Sequence, residues 1–164
     1  MFNIVLLEPE IPFNTGAIGR TCVATNTVLH LIKPLGFSLD EKQVKRSGLD
    51  YWPKLKLFVY EDIDDFYKKN PNANVYFATT KARKTYDLVE YKDNDYIMFG
   101  KESAGIPEEI LVKNKEHCVR IPMFGEERSL NLSNSVAILL YEALRQQDFK
   151  ELEKFGNLHR LTWD

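Results

Sequence analysis

Short apolar runs alternate with helix-like segments along almost the whole chain, and this alternation restricts the fold more than any other feature. Residues 2–7 and 28–32 are runs of strand length, and the segment 14–25 between them carries Ile18 and Cys22 at helical spacing. This is the pattern of a β-α-β unit. The same criteria predict helices over 39–46, 61–70, 107–112 and 132–147, and strands over 55–60, 75–79, 96–99 and 117–121. The helix over 61–70 has an acidic start, and the helix over 132–147 has one apolar stripe, formed by Val136, Leu139, Leu140, Ala143 and Leu144. We therefore expect a three-layer α/β fold with a mostly parallel sheet.

Size and charge limit the classes of protein to which the chain can belong. A chain of 164 residues fits a single domain, 1–164, because at this size it buries roughly 68–70% of its unfolded surface. The formal net charge of -2 argues against a strongly basic nucleic-acid binder, although the basic cluster at residues 81–84 could contact phosphates. No apolar run approaches the roughly 18 residues that a membrane helix requires.

Cysteine and histidine usage argues against a disulfide framework and against a metal centre. Cys22 and Cys118 stand alone, and residues 1–7 do not form a secretory segment, so the reducing cytoplasm is the expected compartment. The three histidines lie at ligand spacing neither from one another nor from a cysteine, so no metal is expected.

Polar loops follow three of the predicted strands, at residues 8–16, 100–107 and 122–131. Ligands of open α/β sheets bind outside the carboxyl ends of the strands, so these loops are expected to converge on one site. The third loop leads into Asn131, Ser133 and Asn134. Such residues ordinarily cap a helix, but this many exceed what one cap requires, and backbone N–H groups at a helix start could bind a ligand.

No common nucleotide fingerprint accompanies these loops. The chain contains neither G-x-G-x-x-G nor G-x-x-x-x-G-K-[ST], which disfavours an ordinary nicotinamide or ATP enzyme. Gly100 and Gly105 have two explanations, and the sequence leaves both open. Either they are turn glycines, or they allow the backbone to approach a flat ligand closely.

Three motifs, in order, resemble those of the SPOUT methyltransferases: NTGAIGR at 14–20, FGKESAGIP at 99–107, and IPM at 121–123 followed by SLNLSN at 129–134. The resemblance covers nearly the whole chain. Four shorter segments make it similar to the short single-domain members, which methylate the ribose 2'-oxygen of the tRNA wobble nucleotide, a cytidine or modified uridine at position 34. These segments are NIVL at 3–6, EPEIP at 8–12, SGLDY at 47–51 and TTK at 79–81.

The resemblance implies features that periodicity does not show. Members of the family thread their C-terminal half into a trefoil knot, against the general rule that chains avoid knots. Their knotted loops bind S-adenosyl-L-methionine in a bent conformation, and they act as homodimers in which the partner completes each site. On matching positions, the implied cofactor contacts are Ala78, Gly100, Ile121, Ser129 and Leu130. Ala78 is smaller than the aliphatic residue expected there, a change that is harmless for a contact made through backbone.

Arg20 is the candidate catalytic residue, because enzymes similar to this chain have an arginine at this place in the first motif. It lies six residues after Asn14, and we expect it at the start of the first helix. Attack of a ribose 2'-hydroxyl on a sulfonium methyl depends on positioning and on stabilising the developing alkoxide. A guanidinium with a pKa above about 12 is a poor base, so we expect Arg20 to hold phosphate and stabilise the oxyanion. A surface salt bridge is the structural alternative.

Two further residues of the motif region have open roles. Glu102 either orients the second-motif loop, pairs with a basic neighbour or is purely structural. Tyr141 either touches the tRNA or packs in the core, and core packing is the usual position of a helical tyrosine.

Two other classes of function compete with a methyltransferase. A non-catalytic RNA-binding module is suggested by a GxxG turn at residues 16–19 and by the basic cluster at 81–84. This GxxG segment follows a strand and lacks basic residues at its centre, which disfavours that class. A small-molecule-binding structural dimer would account for a pocket but not for Arg20.

Overall fold

The computed structural model describes residues 1–40, 51–126 and 128–164, and in these residues a six-stranded parallel sheet is the central element. Its strands are β1 (Asn3–Leu7), β2 (Val28–Ile32), β3 (Leu57–Tyr60), β4 (Val75–Ala78), β5 (Tyr96–Phe99) and β6 (Cys118–Val119). The α-helices are α1 (Pro12–Ala24), α2 (Ile63–Lys69), α3 (Glu108–Lys113) and α4 (Leu132–Gln146), and short 3-10 turns cover Trp52–Lys54, Tyr86–Leu88 and Lys115–His117.

Helices cover both faces of the sheet, because alternate side chains of its strands point to opposite sides. In β1, Ile4 and Leu6 belong to the same buried cluster as the inner faces of α1 and α4. Val5 and Leu7 belong to a second cluster, which includes Phe66 of α2 and Leu111 of α3. The predicted α/β class with a parallel sheet between helical layers is thereby confirmed.

Most of the predicted elements are present with shifted ends. The apolar stripe predicted for the last helix is buried along α4, at Val136, Leu139, Leu140, Ala143 and Leu144. The acidic start predicted for the second described helix is also present, since the Asp62 side chain accepts from Asp65 N at 2.7 Å. The helix predicted over 39–46 lies mainly within 41–50, outside the described residues.

The last strand is shorter than the prediction of 117–121. It pairs with β4 only through Cys118 and Val119. The next residue, Arg120, bonds instead to a neighbouring loop: its N–H donates to Lys84 O at 2.9 Å, and its carbonyl accepts from Tyr86 N at 2.9 Å. The loop thus replaces β4 as the partner of the chain leaving β6, and Ile121 lies beyond the strand.

The strand order is β3-β2-β1-β5-β4-β6, and it reverses between β1 and β5. From β1 the chain continues into α1 on one face of the sheet, and from β5 it continues into α3 on the other face. The loops that follow these two strands therefore diverge and leave a crevice at the carboxyl edge, where α/β proteins bind ligands.

Candidate active site

A pocket of about 640 Å³ opens at this crevice. The loops at 8–16, 100–107 and 122–131 all contribute to its wall, together with residues 79–81 after β4. The predicted convergence of three loops is confirmed, because all the strands that carry them are parallel and end at the same edge. The lining includes Asn14, Ala78, Lys81, Gly100, Lys101, Glu102, Ser103, Ile121, Arg128, Ser129, Leu130 and Asn131.

Glu102 joins the second loop to the first. Its carboxylate accepts from Glu10 N at 2.8 Å and from Ile11 N at 3.1 Å, and it lies 3.4 Å from the Asn14 amide nitrogen. Pro12 begins α1, and Ile11 supplies no side-chain cap, so a carboxylate from a distant loop satisfies N–H groups at this helix entrance. Among the three roles left open for Glu102, orienting the loop is the one that these contacts support.

Glu10, to which the sequence alone assigned no role, makes a second link between the same two loops. Its two carboxylate oxygens accept from the Ser103 hydroxyl at 2.7 Å and from Ser103 N at 3.0 Å. These hydrogen bonds, the hydroxyl first, hold the pKa of the Glu10 carboxyl below its usual value. Glu10 and Glu102 therefore form a reciprocal clamp between the two loops.

Asn131 connects the third loop to the first. Its side-chain nitrogen donates to Asn14 Oδ1 at 3.2 Å, while its Oδ1 accepts from Ser133 N at 2.9 Å and Asn134 N at 3.3 Å. Asn131 thus both caps α4 and lines the pocket. The expectation that free N–H groups at this helix start await a ligand is wrong for residues 133 and 134, since the Asn131 side chain already occupies them.

The two loop glycines have different structural reasons. Gly105 has φ +69°, in the left-handed region that favours glycine. A Cβ on Gly100 would lie 2.0 Å from the carbonyl carbon of Gly105 and 2.3 Å from Ile106 N. Gly100 therefore permits close approach of the chain to its own backbone, which is a reason that sequence reasoning did not consider.

The five implied cofactor contacts all lie in the pocket wall. Ala78 ends β4, Gly100 follows β5, and Ile121, Ser129 and Leu130 belong to the segment between β6 and α4. This chain brings them together from positions that span more than fifty residues. Their assignment to the cofactor remains a prediction.

Arg20 lies apart from this group. It is exposed in the second half of α1 rather than at its start, about 9 Å along the helix axis from Asn14, and it does not line the pocket. Its guanidinium carbon lies 4.8 Å from the centroid of the Tyr51 ring, so its described contact is a cation–π interaction rather than a salt bridge.

The structure also shows the exposure of Tyr141 and the ion pairs of the basic cluster at residues 81–84. Tyr141 is exposed on α4, so the core-packing alternative is wrong. Lys81 lines the pocket and pairs with Glu108 at 3.2 Å, while Lys84 Nζ lies 4.0 Å from the Glu116 carboxylate. Acidic neighbours therefore neutralise part of the cluster, whereas Lys101 and Arg128 add positive charge to the pocket wall.

The GxxG turn of the RNA-binding alternative is absent. Gly16 and Gly19 are both buried inside α1, so the segment is helical. A Cβ on Gly19 would contact the Trp52 and Leu55 side chains at 3.3 Å, which indicates close packing of the helix. Within residues 1–40, 51–126 and 128–164, no group of three or more metal-ligating side chains occurs, and no helix is long and apolar enough to cross a bilayer.

A parallel α/β sheet with a pocket of mixed polar and apolar lining at its switch point is the arrangement with which open α/β proteins bind small ligands. The model of the SpoU rRNA Methylase family matches residues 1–141, and the chain belongs to that family.

Two relatives and one more distant structure extend this comparison. A tRNA (cytidine(34)-2'-O)-methyltransferase of Methylovorus glucosotrophus is 49% identical over 150 residues, which cover 91% of this chain and 97% of the relative. A solved structure concerned with 2-OH methylation of C/U34 on tRNA is 39% identical, with a TM-score of 0.87 over 92% of this chain and 98% of that one. The AdoMet-bound rRNA methyltransferase of Sinorhizobium meliloti has the same fold, with 24% identity and a TM-score of 0.79 over 88% of this chain and 56% of that one.

Proposed function

We propose that this chain methylates the ribose 2'-oxygen of the wobble nucleotide of tRNA, a cytidine or modified uridine at position 34. One observation carries the proposal: the three motif loops of a SpoU family member meet in a single pocket that contains every implied cofactor contact. The names of the relatives at 49% and 39% identity support the same substrate.

S-adenosyl-L-methionine is the methyl donor, and the pocket suits it in size and in chemistry. A volume of about 640 Å³ lies within the range of small-molecule sites. The apolar wall comes from Ala78, Ile121 and Leu130, while Ser129 and Asn131 supply polar groups. When bound, the cofactor supplies an electrophilic methyl group. The Glu10–Glu102 clamp and the Asn14–Asn131 bond hold the surrounding loops in one arrangement.

Arg20 is proposed to act in the pocket of a second protomer. It is exposed on α1, outside the pocket of its own chain, and lies on the same helical layer as exposed Phe13 and Tyr141. A two-fold axis through this layer would direct the Arg20 of one protomer toward the site of the other. There the guanidinium would bind a phosphate and stabilise the negative charge on the attacking 2'-oxygen.

The same proposal includes a trefoil knot in the C-terminal half of the chain. It also includes a cytoplasmic homodimer in which residues 1–164 of each protomer form a single domain. The backbone hydrogen bonds that join residues 84–86 to Arg120, at the exit from β6, support the knot. A tRNA substrate supports the cytoplasm, and the position of Arg20 outside its own pocket supports the dimer.

Transfer of a labelled methyl group to an anticodon stem-loop RNA, with nucleoside mass mapping of the product, tests the function. We expect one 2'-O-methyl group, at position 34, and no methylation of an RNA with a 2'-deoxy nucleotide there. A non-catalytic RNA-binding module would bind the RNA but give no heat with S-adenosyl-L-methionine in calorimetry. A structural dimer that only binds the small molecule would give heat without transfer.

A further inference from the structure

The chain beyond α4 carries large apolar side chains with little to cover them. Phe149 and Leu152 still pack against the core. After them, residues 153–164, here called the C-terminal arm, are all exposed and form neither helix nor strand. Phe155 is 86% exposed, Trp163 is 75% exposed, and Leu158 and Leu161 are exposed between them. Four such side chains within the nine residues 155–163 exceed the scattered apolar exposure that is normal for a protein surface.

The charge of the arm does not fit RNA as its partner. Lys154 and Arg160 are balanced by Glu153 and Asp164. Proteins that hold single-stranded RNA on aromatic side chains combine them with a positively charged groove, because phosphates dominate the affinity. A neutral apolar segment is instead typical of contact with another protein surface.

The helical layer from which the arm leaves is itself incompletely covered. On α1 and α4, Phe13 and Tyr141 are exposed, and the chain runs from α4 through Phe149 and Leu152 directly into the arm. A stable interface buries about 800 Å² on each partner and concentrates its energy in a few aromatic anchors. Two exposed rings are few for that purpose, and Phe155 and Trp163 would double their number.

We infer that the C-terminal arm packs against a second copy of this chain and ties the two protomers together across the layer formed by α1 and α4. Twelve residues in extended conformation span up to about 40 Å, which is enough to cross onto a neighbouring protomer. The inference rests on the homodimer in the proposed function, and it adds the segment that holds this homodimer together.

Tryptophan fluorescence tests the inference directly, because the chain has two tryptophans, Trp52 and Trp163. In a Trp52→Phe variant, emission reports on the arm alone. We expect blue-shifted emission protected from iodide at concentrations where the protein is dimeric, and solvent-exposed emission after dilution to monomer. Exposed emission in the dimer, or protected emission that persists in the monomer, would overturn the inference.

Matched surface variants give a second test that does not depend on Trp52. Leu161→Asp should weaken dimerisation at least tenfold in analytical ultracentrifugation, whereas Val112→Asp, at a similarly exposed position on α3, should not. Affinity for S-adenosyl-L-methionine should be unchanged in both variants. Equal dimer affinity for both would overturn the role of the arm while leaving the homodimer standing. A wild-type chain that is fully active as a monomer would instead overturn the homodimer itself.

Discussion

Replacing Gly100 by alanine separates two reasons for a glycine at the exit of β5. If the glycine serves only the ligand, the variant should fold normally and lose the cofactor. The structure predicts a different result, since the new Cβ would meet the carbonyl carbon of Gly105 at 2.0 Å and Ile106 N at 2.3 Å. Ordinary carbon–carbon contact begins near 3.5 Å, so the two backbone segments must separate by about 1.5 Å.

The cost of that separation follows from the position of Ile106, which is buried in the core cluster that includes Leu111 of α3. Overpacking of this kind destabilises a domain by about 1–3 kcal/mol, which for a domain of this size lowers the melting temperature by roughly 5 °C. The displaced loop carries Glu102 and lines the pocket, so we also expect cofactor affinity to fall at least tenfold.

Thermal unfolding and calorimetry with S-adenosyl-L-methionine measure both effects on the same protein. Gly105→Ala is the matched control: its Cβ would meet nothing within 4 Å, so only the strain of φ +69° remains, at a cost of about 1 kcal/mol. An unchanged melting temperature in Gly100→Ala would refute the backbone-clash argument. If cofactor binding were lost in that stable variant, close approach of the ligand would be the correct reason.

Three further predictions concern catalysis, the loop clamp and pH. Arg20→Ala should reduce single-turnover methyl transfer by roughly 10²-fold while cofactor affinity stays normal. Arg20→Lys should recover little of this activity, because an ammonium lacks the planar fork of a guanidinium. Near-normal transfer by Arg20→Ala would show that this residue has only a surface role. Glu102→Ala should weaken cofactor binding about tenfold, because it leaves Glu10 N and Ile11 N without their acceptor. Glu102→Gln should have an intermediate affinity. If calorimetry gave the same cofactor affinity for wild type and both variants, the clamp would be contradicted. Burial lowers the pKa of His30 from 6.5 to about 4, so this residue favours the folded state fully above pH 6.5 and loses that contribution as the pH falls toward 4. Urea unfolding of wild type should therefore lose about 2 kcal/mol more than His30→Gln between pH 7 and pH 5, and parallel losses in the two proteins would refute the assignment.

The order of helices and strands could be predicted from the sequence because its signals are local. Apolar spacing within α4 identified the buried stripe at Val136, Leu139, Leu140, Ala143 and Leu144, and short apolar runs identified β1 and β2. The convergence of the three loops was predictable as well, since parallel strands bring their carboxyl ends to one edge. Family membership followed from the motifs, which the match to residues 1–141 confirms.

The contacts that shape the pocket depended on the tertiary structure, because their partners are distant in the chain. Glu102 satisfies N–H groups at the entrance of α1 from 91 and 92 residues away, and Asn131 reaches Asn14 across 117 residues. The reason for Gly100 is likewise its distance from the backbone of Gly105, which follows from how the loop folds back on itself. Local propensity acts over one or two turns of a helix. The hydrogen bonds between the loops depend instead on a strand order that places β5 beside β1 and reverses direction between these two strands. The sequence by itself therefore determined which segments build the site, and the tertiary structure decided which atoms hold those segments together.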